Sequence, residues 1–134
     1  MASGPGSPDP ADPRRILLVD DEATVRFSLG RFLRLRGYEV DATSQEADAL
    51  ALLTAYRYDV VITDLRLSGS DGIEGLRIIE RVRTLAPSAR VILLTAYGTP
   101  QLLDEARASG VTTILSKPVA LQDLEAAISA SPGV

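Results

Sequence analysis

Read for hydrophobic and polar positions, the chain alternates between two periods. Arg15–Asp20 (RILLVD), Val60–Asp64 (VVITD) and Val91–Thr95 (VILLT) are short, unbroken apolar runs. Such runs suit strands covered on both faces, as in a parallel sheet between helices. Tyr38–Ala42 (YEVDA) alternates instead and is expected at a sheet edge, while Val111–Leu115 (VTTIL) supplies a fifth strand. The intervening segments follow the helical period. From Glu22 to Arg36, Val25, Leu29, Phe32 and Leu33 share a face, with Arg26, Arg31 and Arg34 on a solvated one. Gly37 follows where a helix C-terminal glycine is expected. Ser44 opens a second helix that carries Glu46 and Asp48 near its start and packs through Leu50 and Leu53. Gly72–Leu85 repeats the pattern with Ile73, Leu76, Ile79 and Val82. Pro100 and Pro118 introduce two more helices, running to about Ser109 and Ser129. Five strands alternating with five helices predict a doubly wound α/β domain. Right-handed crossovers then put helices on both faces and reactive groups at the carboxyl ends of the strands.

The ends of the chain differ from this pattern. Residues 1–13 (MASGPGSPDPADP) have almost nothing to bury and are expected to be a disordered leader or a cloning remnant. The folded unit is expected over 14–130, with residues 131–134 as a short tail. At 134 residues, 46% hydrophobic and 24% charged, the chain suits one globular domain with a single core. A net charge of −4 with no dense basic patch gives no sign of nucleic-acid binding. No apolar run is long enough to cross a bilayer and no signal peptide opens the chain, so a cytoplasmic protein is the default expectation. The sequence contains neither cysteine nor histidine. Disulfides, thiolate chemistry and histidine acid–base catalysis on this chain are thereby excluded. Carboxylates, hydroxyls, backbone groups and one amine remain.

Those groups lie at predicted strand ends. Asp20 and Asp21 end the first strand, Asp64 the third and Thr95 the fourth, and Lys117 follows the fifth by two residues. In a doubly wound sheet these ends share one crevice. Free aspartate has a pKa near ~3.9, so three carboxylates there would repel one another without a cation among them. Mg2+, a hard ion that takes oxygen ligands and keeps several waters, suits such a site. A carboxylate beside a metal, a lysine and a hydroxyl can act as nucleophile toward a phosphoryl group, giving an acyl phosphate. Lys117 is the only lysine among thirteen arginines. Its flexible stem and compact charge suit contact with one phosphoryl oxygen.

Taken singly, each signal has a plainer explanation. Asp20–Asp21 before a helix could be an N-cap, Asp64 a strand-to-turn aspartate, Thr95 a strand-end threonine and Lys117–Pro118 a loop. Together, in order and each at an end of one sheet, they point to one site.

ILLVDDE, VVITDLRLSGSDG, VILLTAYG and ILSKP resemble the successive signatures of response-regulator receiver domains, the CheY-like superfamily of two-component signalling. The spacings agree too, with 31 residues from Asp64 to Thr95 and 22 from Thr95 to Lys117. The resemblance covers about Arg14 to Ser129. It implies a flavodoxin-like fold of strand order 2-1-3-4-5. It also implies Asp64 as phosphoacceptor, with Asp20, Asp21, Asp64 and the Arg66 backbone carbonyl as Mg2+ ligands. Thr95 and Lys117 match the switch hydroxyl and phosphate-binding lysine, and Lys117–Pro118 a cis peptide bond. Implied partners are a histidine kinase or histidine phosphotransfer domain, an output domain or protein, and a homodimer through the fourth helix, fifth strand and fifth helix. The first-helix face around Phe27, Arg26 and Arg34 is expected to meet the phosphodonor.

Three positions depart from the family pattern. Ser68 replaces a usual proline, Thr113 a small or acidic residue, and Ile114 the aromatic whose ring turns inward during switching. Tyr97 is the residue expected to take up part of that role, and Arg66 and Tyr97 match positions that tune hydrolysis. The departures leave a phosphorylation-independent interaction module on the same fold as the alternative function. A flavin carrier lacks support because neither GxGxxG nor GxxxxGK[ST] occurs, and a haloacid-dehalogenase-type phosphatase would need DxD where Asp20–Asp21 stands.

Overall fold

A computed structural model describes residues 15–67, 73–96 and 99–129. The leader, Ser68, the Asp71–Gly72 turn, Tyr97 and the 131–134 tail lie outside the described residues. Among the described residues ten elements alternate: β1 (Arg15–Val19), α1 (Ala23–Leu35), β2 (Glu39–Thr43), α2 (Glu46–Ala55), β3 (Val60–Asp64), α3 (Ile73–Leu85), β4 (Arg90–Thr95), α4 (Pro100–Ala108), β5 (Thr113–Ser116) and α5 (Leu121–Ser129). All strand pairs are parallel and the sheet order is β2-β1-β3-β4-β5. The expected doubly wound fold is therefore the observed one, with the alternating segment at the sheet edge.

The unbroken apolar strands are explained by the two layers they serve. Leu17, Val19, Val61 and Leu93 point to one face and pack with Ala49, Leu53, Ile78, Ile79, Val82 and Ala106 of α2, α3 and α4. Their neighbours Ile16, Leu18, Val60, Ile62, Ile92 and Leu94 point to the other, against Leu29 and Leu33 of α1 and Leu124, Ala127 and Ile128 of α5. Side chains alternate across a strand, so a strand covered on both sides must be apolar at every position. Removing such surface from water contributes about 25 cal/mol per Å², which makes these two layers the main stabilising term.

Several boundaries differ from expectation. β5 begins at Thr113 rather than Val111; the Thr112 hydroxyl instead accepts from the Val91 amide. α2 starts at Glu46, two residues after Ser44, and α5 at Leu121, three after Pro118. The Lys117–Pro118 peptide bond is cis, as the resemblance implies. Of the α1 arginines, Arg31 and Arg34 are exposed as expected and Arg26 is half-buried; Arg26 donates to the Asp20 carbonyl at 2.7 Å and Arg34 to that of Val40 at 2.9 Å. Gly37 has φ +96, which explains glycine at the end of α1.

Candidate functional site

The carboxyl ends of β1, β3, β4 and β5 meet at one edge of the sheet. Asp64 is the last residue of β3 and pairs in register with Leu94, one residue before Thr95. Thr95 in turn pairs with Ser116, and the Lys117 amide donates to the Thr95 carbonyl at 2.9 Å. The Asp20 amide donates to the Thr43 carbonyl at 3.1 Å, extending the β1–β2 ladder one residue past the strand. The sheet's own hydrogen bonds thus fix where each functional side chain leaves the backbone. Asp21, Glu22, Asp64, Arg66, Thr95, Ala96 and Lys117 line the resulting cleft of 320 Å³.

Lys117 organises the charges. Its Nζ lies 2.8 Å from Asp20 Oδ2, 2.8 Å from Glu22 Oε1 and 2.9 Å from Asp64 Oδ2. Asp20 is fully buried, and the Asp64 side chain is 11% exposed. Burial would lower the Lys117 pKa, but the interactions with Asp20, Glu22 and Asp64 outweigh it and hold the ammonium firmly protonated. Asp64 shifts upward. Burial is the main cause, with the nearby Asp20 charge adding to it, and the hydrogen bond from Lys117 offsets only part. The nucleophile candidate is thus a carboxylate held in a costly charged state, which favours adding an electrophile to it.

Two groups at the site escaped sequence reasoning. Glu22 directly follows the acidic pair but was read only as the start of α1; its amide donates to Asp20 Oδ1 at 2.9 Å and its carboxylate reaches Lys117. Gly75 sits inside α3, where a Cβ would lie 2.4 Å from the Leu65 carbonyl oxygen and 2.8 Å from that of Asp64. α3 therefore packs directly on the backbone that carries Asp64. A glycine inside an amphipathic helix was the available signal.

Among the expected site residues, Asp20, Asp21, Asp64, Thr95 and Lys117 are brought together, with Arg66 on the same wall. The Arg66 amide donates to Asp64 Oδ1 at 3.3 Å. Ile114 lies in β5, half-buried against the α2–α3–α4 layer. Asp20, Asp21 and Asp64 each offer an oxygen, all within 4.8 Å of one another. Asp20 Oδ2 is buried and, beyond its ionic contact with Lys117, makes no hydrogen bond among the described residues. A cluster of hard oxygen donors with one underused buried anion fits a divalent cation such as Mg2+.

Known proteins share this arrangement of fold and sequence. The family model described as "Response regulator receiver domain" matches residues 16–129. Sporulation initiation phosphotransferase F of Bacillus subtilis is 32% identical over 114 residues, 85% of this chain and 90% of that protein. The transcriptional regulatory protein PdtaR of Mycobacterium tuberculosis is 36% identical over 121 residues, 90% of this chain but 57% of its own length. The chain spans 23% of GlrR of Escherichia coli, so its relatives include much longer proteins. Among solved structures, a response regulator of Burkholderia pseudomallei with a phosphorylated aspartic acid, calcium ion and citrate superposes with a TM-score of 0.79. That match has 29% identity and covers 87% of this chain and 67% of the other. The strand ends, the acidic cluster and the family match along nearly the whole folded unit converge: the chain belongs to the receiver domains of two-component response regulators.

Proposed function

We propose that this receiver takes a phosphoryl group onto Asp64 in a Mg2+-dependent reaction and switches conformation to regulate an output partner. The observation that carries the reading is the Lys117 ammonium held among Asp20, Glu22 and Asp64 at the carboxyl edge of the sheet. The donor is a histidine kinase or a histidine phosphotransfer domain. An Asp64 oxygen bonds to phosphorus while the bond from phosphorus to the donor nitrogen breaks, its electron pair leaving with the imidazole. Asp20, Asp21, Asp64 and the Arg66 carbonyl would hold the metal, which supplies positive charge to the phosphoryl oxygens. Lys117 neutralises a further oxygen and the Thr95 hydroxyl donates to another. α1 begins directly after Glu22 of the cleft wall, and its Phe27 is 71% exposed, apolar area suited to docking the donor.

Phosphorylation then favours a minor conformer, read out at α4, β5 and α5, where a homodimer or an output protein would bind. The half-buried Ile114 cannot repeat an aromatic ring's inward turn, so the signal passes through Thr95 and, in this reading, Tyr97. The same isoleucine favours the second reading, a phosphorylation-independent interaction module. The complete acidic set and the lysine weigh against that. The reading assigns the receiver unit to 14–130 and the protein to the cytoplasm, alongside its donor.

The test is intact-mass spectrometry after incubation with acetyl phosphate, with and without Mg2+, on wild type and Asp64→Asn. One phosphoryl mass that requires both Mg2+ and Asp64 is expected. No adduct, together with no binding of beryllofluoride in Mg2+, would favour the interaction module.

A further inference from the structure

Lys117 has an acceptor for every donor it carries: an ammonium has three N–H groups, and three carboxylate oxygens lie within 2.9 Å of Nζ. A phosphoryl group on Asp64 would place its oxygens beyond Oδ2, so Nζ would have to move outward to meet one, and a contact that holds it back has to open.

The three contacts differ in what their loss costs. Asp20 is fully buried, so removing the ammonium would strand a buried anion. Asp64 is the group that would carry the phosphoryl, and its contact passes to the new oxygens as the bond forms. Glu22 has a 55% exposed side chain, so water can replace the ammonium at small cost. It is also held in place: its amide is fixed by Asp20 Oδ1 at 2.9 Å, and it stands at the N-cap of α1 without capping the helix through its side chain. The Glu22 carboxylate therefore reaches to Lys117 across 95 residues of sequence rather than serving its own helix.

We propose that Glu22 is a positioning residue that latches Lys117 in the resting state and is released when Asp64 carries a phosphoryl group. This rests on Asp64 being the acceptor. The latch stabilises the resting site only, so it works against occupancy of the phosphoryl position. Its opening also frees a side chain at the N-cap of α1, which ties the state of the cleft to the start of that helix.

The test uses beryllofluoride, generated from beryllium chloride and sodium fluoride, titrated at saturating Mg2+ and followed by ¹⁹F NMR. Wild type, Glu22→Gln and Glu22→Asp are compared. Glu22→Gln removes the charged contact, whereas Glu22→Asp keeps the charge but draws it back by one methylene. Both variants are expected to bind roughly threefold to fivefold more tightly than wild type, the size of a part-exposed ion pair. Lys117 is the only lysine, so ¹⁵N-lysine labelling gives a direct second readout. Its Nζ signal should differ between wild type and both variants in the resting state and coincide in all three with beryllofluoride bound. Equal or weaker binding by Glu22→Gln overturns the latch. So does a Glu22→Asp protein that behaves as wild type, because charge without contact would then suffice. Failure of all three proteins to bind beryllofluoride instead removes the acceptor reading, and the latch with it.

Discussion

At the scale of single residues, Asp64 sits where burial and the nearby Asp20 oppose its charge. In metal-free buffer Asp64→Asn should therefore be more stable than wild type, by about 1 kcal/mol, as is common when a strained functional group is neutralised. The sign with pH follows from the raised pKa. The penalty is full above the folded-state pKa of Asp64 and absent below its ordinary value, so the two unfolding curves should converge in acid. Urea denaturation in EDTA across pH would show this, and a less stable Asn variant at neutral pH would contradict it. Gly75→Ala should act in the opposite direction. Its Cβ would press on the Leu65 and Asp64 carbonyls, at a cost of about 1–3 kcal/mol. That exceeds the gain of up to about 1 kcal/mol from replacing glycine within a helix. A lower urea midpoint and slower labelling by acetyl phosphate are expected; an unchanged midpoint would mean that α3 moves aside freely. At this scale the acidic groups, Thr95 and Lys117 were legible because each sits at the end of an apolar run. The Lys117–Glu22 contact was not, since nothing local in a sequence says which of several nearby carboxylates an ammonium meets.

At the scale of elements, side chains join helices that the sheet alone would leave to slide. Glu46, at the start of α2, accepts two hydrogen bonds from the Arg77 guanidinium of α3, a fork-to-carboxylate pair. The hydrogen bonds from Arg77 hold the Glu46 carboxyl below its ordinary value of 4.5, partly offset by burial. A depressed carboxyl pKa contributes stability that is present above 4.5 and lost as pH falls through the folded-state value. Glu46→Gln should therefore lower the melting temperature slightly at pH 7 and leave it unchanged near pH 3. The effect is small because half of Arg77 faces solvent. An equal loss at both pH values would show that packing rather than charge joins the helices. Existence and type of all ten elements could be read from periodicity, but the starts of α2, β5 and α5 could not. The first two are displaced by a competing local choice: Gln45 rather than Ser44 flanks α2, and the Thr112 hydroxyl takes a strand amide.

At the scale of the whole molecule, the doubly wound architecture was legible because a parallel sheet buried on both sides leaves few other sequence patterns. Its two layers appear in the strands as strict alternation of faces, Ile16 and Leu18 toward α1 and α5, Leu17 and Val19 toward α2, α3 and α4. What periodicity could not supply is strand order; that came from resemblance and is matched by the sheet. The order has a consequence for how the chain matures. Within this sheet β1 pairs with both β2 and β3, so the first half of the sheet is complete in a segment that precedes β4 and β5. Asp20, Asp21 and Asp64 would then already be gathered, but the sole lysine arrives only with β5, at the far edge. Until that last strand zips on, a nascent chain holds its anionic cluster without its built-in counterion.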